Sequence, residues 1–382
     1  MSTTAEAVPA TQASGRAPLP LDLLVFNLRT DVDHTALGFT TSWVNALARR
    51  VGHVTVITMY AGEIATEPNV VVHSLGKERG LSEARRVLRF YRVVRAVLAE
   101  RRVDACFSHM NPKFSVMFAP VAKARGIPQL LWFAHGSTAP ALRAAHRLVD
   151  RCVTSTPSGF RLRSDKLHVI GQGIDTSLFA PPREVGPDYA RSAISIGKIS
   201  PVKRVDEMIE ATALVRDGGL DFRLELVGEP LHQGDGEYLD GLRSRARTLG
   251  VGDAVTFAGR VPFPEIPSRY HHGALFLNLS TNRSLDKAIL ESMASGCIPV
   301  SRNESFARLA ADAGFPELVP GPGPEGVAER ILALAELAPG ERAALARRLR
   351  ALVEAEHSLD SLADRIVGHL AELAASRKIG SE

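Results

Sequence analysis

Apolar residues recur along this chain in short unbroken runs, separated by stretches of helical period. The first run is "LDLLVFNL" (21–28); "TTSWVNALARR" (40–50) has helical spacing, and "HVTVITMY" (53–60) is apolar again. "VVVHSL" (70–75) follows, then a long amphipathic stretch over 81–102. The runs "VDACFSHM" (103–110), "PQLLWFAHG" (128–136), "DRCVTST" (150–156) and "KLHVIGQGID" (166–175) complete the first half. Unbroken β-rich runs alternating with helices predict strands buried on both faces of a parallel sheet.

"FAPPREVGPDYA" (179–190) is a Pro-rich break, and the pattern then restarts. "SAISIG" (192–197), "FRLELVG" (222–228), "AVTFAGRV" (254–261), "GALFLNLS" (273–280) and "CIPVSR" (297–302) are predicted strands with helices between them. "GPGPEG" (321–326) is a loop, and two Ala/Leu/Arg-rich helices are expected over 325–354 and 359–376. The prediction is an α/β protein of two similar doubly wound halves, 21–180 and 190–358, with a cleft between them. A tail precedes them (1–20), and a C-terminal helix (359–382) is expected to pack back on the first half. Ligands in such sheets sit beyond the carboxyl ends of the strands.

Bulk properties narrow the function classes. A length of 382 residues fits two domains, and 45% hydrophobic with 23% charged residues is ordinary for a globular chain. The net charge of +4 is mild and the basic residues form no tail, which argues against nucleic acid as a partner. Cys106, Cys152 and Cys297 lie far apart with no CxxC spacing, so free buried thiols are expected rather than a disulfide framework or zinc site. There is no run of 18 apolar residues to span a membrane, and "MSTTAEAVPATQASGRAPLP" has no apolar block. The expectation is a cytoplasmic protein with a disordered N-terminal tail.

Three regions could carry chemistry. In "SIGKISPVKRVDEMIEA" (195–211) a strand ends at Gly197, and Lys198 and Lys203 follow before a helix; two cations there suit a diphosphate, and a solvated basic turn is the plainer reading. In "SLDKAILESMASG" (284–296) the backbone N–H groups at 286–288 begin a helix and could face a phosphate. Lys287 and Glu291, at i and i+4, could equally be a surface ion pair, and Asp286 could simply complement the helix dipole. The third region is the loops of the first half. Gly38 starts a helix in "DVDHTALGF" (31–39), and "SHMNP" (108–112) and "AHGS" (134–137) put His109 and His135 just past buried strands, as structural residues or as part of a site. No G-x-G-x-x-G follows the first strand, which disfavours a dinucleotide-dependent dehydrogenase.

Taken together, "GKISPVKRVDEMIEA", "LELVG", "VTFAGRV", "LNLSTNRSLDKAILESMASGCIPV", "CVTSTPSGFRL" and "KLHVIGQGIDTSLFAP" occur in the order and with the gaps of one family. The chain resembles the family-4 retaining glycosyltransferases (glycosyl transferases group 1), which have the GT-B fold of two Rossmann-like domains. The resemblance implies that Lys198, where Arg is usual, and Lys203 hold a donor diphosphate, and that Glu291 binds the donor ribose. It places Gly197, Gly228, Arg260 and Val261 at the nucleotide, and Gly38 near the phosphates with one glycine of the usual pair missing. It puts Lys287 and Ala288 at the phosphate, His135 near the transferred sugar and His109, with Arg283, on the acceptor side.

The family's first glutamate and its Glu-Gly-x-Gly pattern are here "RSLD", similar to a recurring "SLDK" variant. The expectation is that Asp286 supplies the missing carboxylate, toward donor hydroxyls or a cationic acceptor, held by Arg283 at i and i+3; the alternative is that Asp286 only caps the helix. The implied activity is transfer of a sugar (a hexosyl or N-acetylhexosaminyl group) from a nucleotide-sugar, by family habit a UDP-sugar, to a saccharide, lipid-linked or aminocyclitol acceptor. No metal and no cofactor are expected. A nucleotide-sugar epimerase of related fold and a non-catalytic binding subunit are the rival readings.

The segment 79–102 carries eight arginines against two glutamates, with Leu81, Ala84, Leu88, Tyr91 and Leu98 on one apolar face. It reads as a helix packed by that face with a solvated arginine side, or as a helix that touches a membrane surface.

Overall fold

The computed structural model describes residues 17–230, 235–281 and 284–379. Arg283 and most of the expected N-terminal tail lie outside these residues. The last of the expected tail does not: Leu19 already pairs with Val51 in the first sheet.

The first domain contains β1 (Leu19–Thr30), α1 (Phe39–Ala48), β2 (Val51–Ala61), β3 (Val70–Ser74), α2 (Glu83–Glu100), β4 (Ala105–His109), α3 (Pro112–Arg125), β5 (Gln129–Trp132), α4 (Pro140–Leu148), β6 (Arg151–Thr154) and β7 (Leu167–Val169). Its seven strands are parallel, in the order β3-β2-β1-β4-β5-β6-β7. Successive strand residues point to opposite faces. Leu23 and Val25 of β1 therefore join one core, while Leu24 and Phe26 join another beneath α2 and α3.

The second domain contains β8 (Ser192–Ile196), α5 (Val205–Asp217), β9 (Arg223–Val227), α6 (Asp235–Thr248), β10 (Val255–Gly259), α7 (Ile266–Arg269), β11 (Leu275–Asn278), α8 (Lys287–Ala294), β12 (Ile298–Ser301), α9 (Glu304–Asp312), α10 (Gly323–Ala335) and α11 (Pro339–Glu356). Its sheet is parallel, in the order β10-β9-β8-β11-β12. The single helix expected over 325–354 is two helices. Pro339 has no N–H to continue α10 but suits the first turn of α11. The run expected as a strand over 166–175 keeps only three residues as β7.

The last helix, α12 (Leu359–Ile379), leaves the second domain and packs on the first. Leu362, Ile366 and Leu370 join the core of Leu23, Val25 and Trp43. The buried Arg50 guanidinium bonds Asp360 at 3.0 Å and Asp364 at 2.7 Å.

Helix α2 differs from its expected packing. Phe90, Val94 and Val97 are buried against β1 and α3. The other apolar face turns outward, with Leu88 53% and Tyr91 40% exposed.

Candidate donor-binding cleft

The floor of the cleft is made by three strand ends. Beyond β8 and β9 and at the end of β10 the backbone reaches Gly197, Gly228 and Gly259, all with positive φ. Gly197 N–H donates to the Val227 carbonyl at 2.9 Å, and Gly228 N–H to the Gly259 carbonyl at 2.8 Å. A Cβ on Gly228 would lie 1.9 Å from the Gly197 carbonyl oxygen, so the two strand ends approach as only glycine permits.

Above this floor is a cavity of about 360 Å³ between the domains. Its second-domain wall brings together Gly197, Lys198, Lys203, Gly228, Arg260, Val261, Asp286, Lys287, Ala288 and Glu291, ten of the residues singled out in the sequence. Thr35, Ala36 and Phe39 close it from the first domain.

The loop after β8 turns through Pro201–Lys203 and directs Lys203 across to the start of α8. Lys203 Nζ lies 2.5 Å from Asp286 Oδ2. The same oxygen accepts Asn278 Nδ2 at 3.0 Å, and Oδ1 accepts the Ala288 N–H at 3.3 Å. Asp286 is thus the N-cap of α8. Burial would raise its pKa, but the Lys203 charge and these hydrogen bonds hold it below the ordinary 3.8. One expectation is corrected here: the Ala288 N–H is not free, because the cap takes it. Asp286 pairs with Lys203, and its expected partner Arg283 lies outside the described residues. Lys198 is exposed and has no ion-pair partner among the described residues.

Lys287 and Glu291 are not a surface pair. Glu291 is 8% exposed, and its Oε2 accepts Tyr270 Oη–H at 3.2 Å. Its Oε1 is 3.7 Å from Lys287 Nζ, which rests 3.2 Å from the centre of the Phe39 ring. Burial moves both groups toward neutrality, lowering Lys287 to about 8 and raising Glu291.

The remaining sequence candidates lie off the cavity. Gly38 adopts a helical φ of −56°, so its role is space: a Cβ would meet Phe263 Cβ and the Val32 carbonyl oxygen at 2.6 Å. His109 is a core residue, with its ring centre 4.7 Å from that of Trp43. Burial, with Lys287 nearby, lowers its pKa to about 3. His135 is exposed, and its Nδ1 accepts the Ser137 N–H at 3.1 Å. Asn278, Tyr270 and Phe39 organise the cleft but were not singled out in the sequence. The one signal for Asn278 was a polar residue closing an apolar strand. Among the described residues no group of three or more His, Cys, Asp or Glu is placed to hold a metal ion.

This fold, of two parallel-sheet Rossmann-like domains around a cleft, is that of GT-B glycosyltransferase structures. Residues 183–352 form a domain that matches the family described as Glycosyl transferases group 1. The chain is 29% identical over 248 residues to D-inositol 3-phosphate glycosyltransferase of Acidothermus cellulolyticus, covering 60% of this chain and 54% of that one. It is 24% identical over 168 residues to mannosylfructose-phosphate synthase of Agrobacterium fabrum, covering 40% and 37%. The chain therefore spans about half or less of the length of these curated relatives. Sucrose-phosphate synthase from Thermosynechococcus elongatus superposes with a TM-score of 0.71 at 16% identity, covering 93% of this chain and 100% of that one. Anabaena HepE, solved in complex with UDP-glucose, superposes with a TM-score of 0.67 at 17% identity, covering 92% and 100%.

Proposed function

We propose that this chain is a family-4 retaining glycosyltransferase that moves a sugar from a UDP-sugar to a hydroxyl acceptor. The observation that carries the reading is the convergence of Gly197, Lys198, Lys203, Gly228, Lys287 and Glu291 on one interdomain cavity. The UDP-glucose complex of HepE, a neighbour in fold, supports the choice of nucleotide. The names of the curated relatives support a phosphorylated polyol or sugar as one acceptor class.

The chemistry asked of the protein is mostly electrostatic. As the anomeric bond breaks, negative charge builds on the departing diphosphate while the sugar becomes oxocarbenium-like. Lys203 has three N–H donors; one is spent on Asp286, leaving two for phosphate oxygens. Lys198 adds a second positive charge, and the N-terminus of α8 adds its dipole. Asp286 is a positioning residue that fixes Lys203. The Oε1 of Glu291, 3.7 Å from Lys287 Nζ, is placed to accept a ribose hydroxyl. With the acceptor hydroxyl entering on the face the diphosphate leaves, a phosphate oxygen can take its proton, so no protein base is required.

Thermal unfolding with UDP, GDP, ADP and their glucose conjugates tests this. A ligand at a hundred times its Kd stabilises by about 2.7 kcal/mol, a rise of a few degrees for a chain this size. UDP and a UDP-sugar should give that rise, and UDP should be released when a hydroxyl acceptor is added. No response to any nucleoside diphosphate would overturn the reading. Interconversion of the donor sugar without an acceptor would instead indicate an epimerase.

A further inference from the structure

We propose that the outward face of α2 is a docking surface for an anionic lipid bilayer. The helix has two apolar faces. Phe90, Val94 and Val97 serve the core. The second face, Ala84, Leu88 and Tyr91, follows the i, i+4, i+7 spacing and is exposed. Arg95 continues the same face one turn beyond Tyr91, Arg85 and Arg92 stand beside it, and Arg102 follows the helix end, all exposed. Of these, Arg85, Arg92 and Arg95 form no ion pair among the described residues, whereas Arg102 lies 3.4 Å from Asp104.

The neighbouring surface has the same sign. Helix α3 packs beside α2, where Tyr91 Oη–H donates to the Met117 carbonyl at 3.0 Å. It carries Lys113, Lys123 and Arg125 with no acidic residue. Only Glu83 and Glu100, at the two ends of α2, oppose this charge on the two helices. At the C-terminal end of α2 the surface continues into a groove of about 770 Å³ lined by Arg101, Arg102, Arg125 and Arg377 with Glu100 and Asp104; there Arg101, Arg102 and Arg377 are paired with Asp22, Asp104 and Asp150.

Charge complementarity selects the occupant. An α-helix rises about 1.5 Å per residue, so α2 is a rod of about 27 Å that can lie flat on a surface. Its apolar stripe would enter the headgroup boundary while the arginines snorkel to lipid phosphates. A nucleic acid would use the arginines but leave Leu88 in water. A basic helix with an exposed apolar ridge therefore fits a bilayer better than a polyanion alone. Because β3, α2 and β4 form a parallel crossover, α2 runs antiparallel to the strands. Its N-terminal end therefore lies on the carboxyl-end side of the strands, the side of the sheet on which the cleft is found.

Co-sedimentation of the full chain with vesicles tests this. The wild type should partition onto vesicles of phosphatidylcholine with about a third phosphatidylglycerol, and not onto phosphatidylcholine alone; raising salt should release it. Arg92→Ala with Arg95→Ala should cut partitioning about tenfold or more, since each cation near an anionic surface contributes about a factor of five. Leu88→Ser should weaken partitioning at fixed charge. Circular dichroism and the UDP-induced thermal shift should be unchanged in both variants. Absence of binding to the anionic vesicles would overturn the proposal. So would equal binding by the arginine variant, or tighter arginine-dependent binding to duplex DNA with no effect of Leu88→Ser.

Discussion

Lys203 and Asp286 are 83 positions apart in the chain and meet in the wall of the interdomain cavity, with Nζ 2.5 Å from Oδ2. One residue ends the loop after β8 and the other caps α8, so the pair fixes the cation that the proposed diphosphate needs.

Replacing Lys203 with Ala should lower turnover by about 10²–10³, the scale for removing one preorganised charge-stabilising donor. The fold should survive, because the side chain belongs to a loop at the cavity rather than to a core. Initial rates of UDP release, with thermal unfolding as the control, measure both.

Asp286→Asn should separate the cap from the charge, since asparagine also caps helices. UDP should bind more tightly, by about 0.5–1 kcal/mol, the upper range for a partly exposed charge pair. Turnover should nonetheless fall, because Lys203 loses its anchor. The pKa of Asp286 is held below 3.8, so its contribution to stability is present above that pH and lost as pH falls through the folded value. The variant should flatten that acid limb. Titration calorimetry and pH-dependent denaturation are the measurements.

Lys287 gives a prediction at the other end of the pH scale. With a folded pKa of about 8 against the ordinary 10.5, the unfolded chain holds the extra proton between those values, so this group's contribution to stability rises with pH across the window. A diphosphate favours the charged form. UDP affinity should therefore decline above pH 8, with proton uptake on binding, and Lys287→Met should remove the pH dependence.

Glu291→Ala should weaken UDP-sugar binding by about 1–3 kcal/mol, as expected for a lost hydrogen bond to a charged group. Tyr270→Phe removes the partner of the same carboxylate without touching the cavity, and should cost stability rather than binding. Calorimetry on the two variants distinguishes donor contact from support.

Gly228→Ala should damage fold and site together. The new methyl would sit 1.9 Å from the Gly197 carbonyl oxygen at a φ of +138°, so the cost should exceed about 1 kcal/mol, the size of the gain that alanine brings where the backbone tolerates it. A lower melting temperature with loss of UDP response is expected.

The doubly wound architecture was legible because strands buried on both faces leave unbroken apolar runs, such as "LDLLVFNL" and "GALFLNLS". The second-domain wall of the cavity was legible because its residues follow strand ends and a helix start. What escaped depends on contacts that no local pattern encodes. Phe39 meets Lys287 from the other domain, Tyr270 reaches Glu291 from a turn, and Asn278 bonds Asp286 across a loop. The place of His109 was not legible, because a histidine at a strand end looks alike in sequence whether it faces a cleft or, as here, a tryptophan. The outward apolar face of α2 has a related cause. Periodicity reveals that a helix has a stripe, and only the packed structure says which of two stripes the core uses.

The docking of α12 on the first domain has a consequence for how the molecule is made. The ribosome delivers β1 to β7 first, yet Leu362, Ile366 and Leu370, which cover Val25 and Trp43, arrive only after the entire second domain. The domain that begins first must wait with part of its core open to solvent and to chaperones.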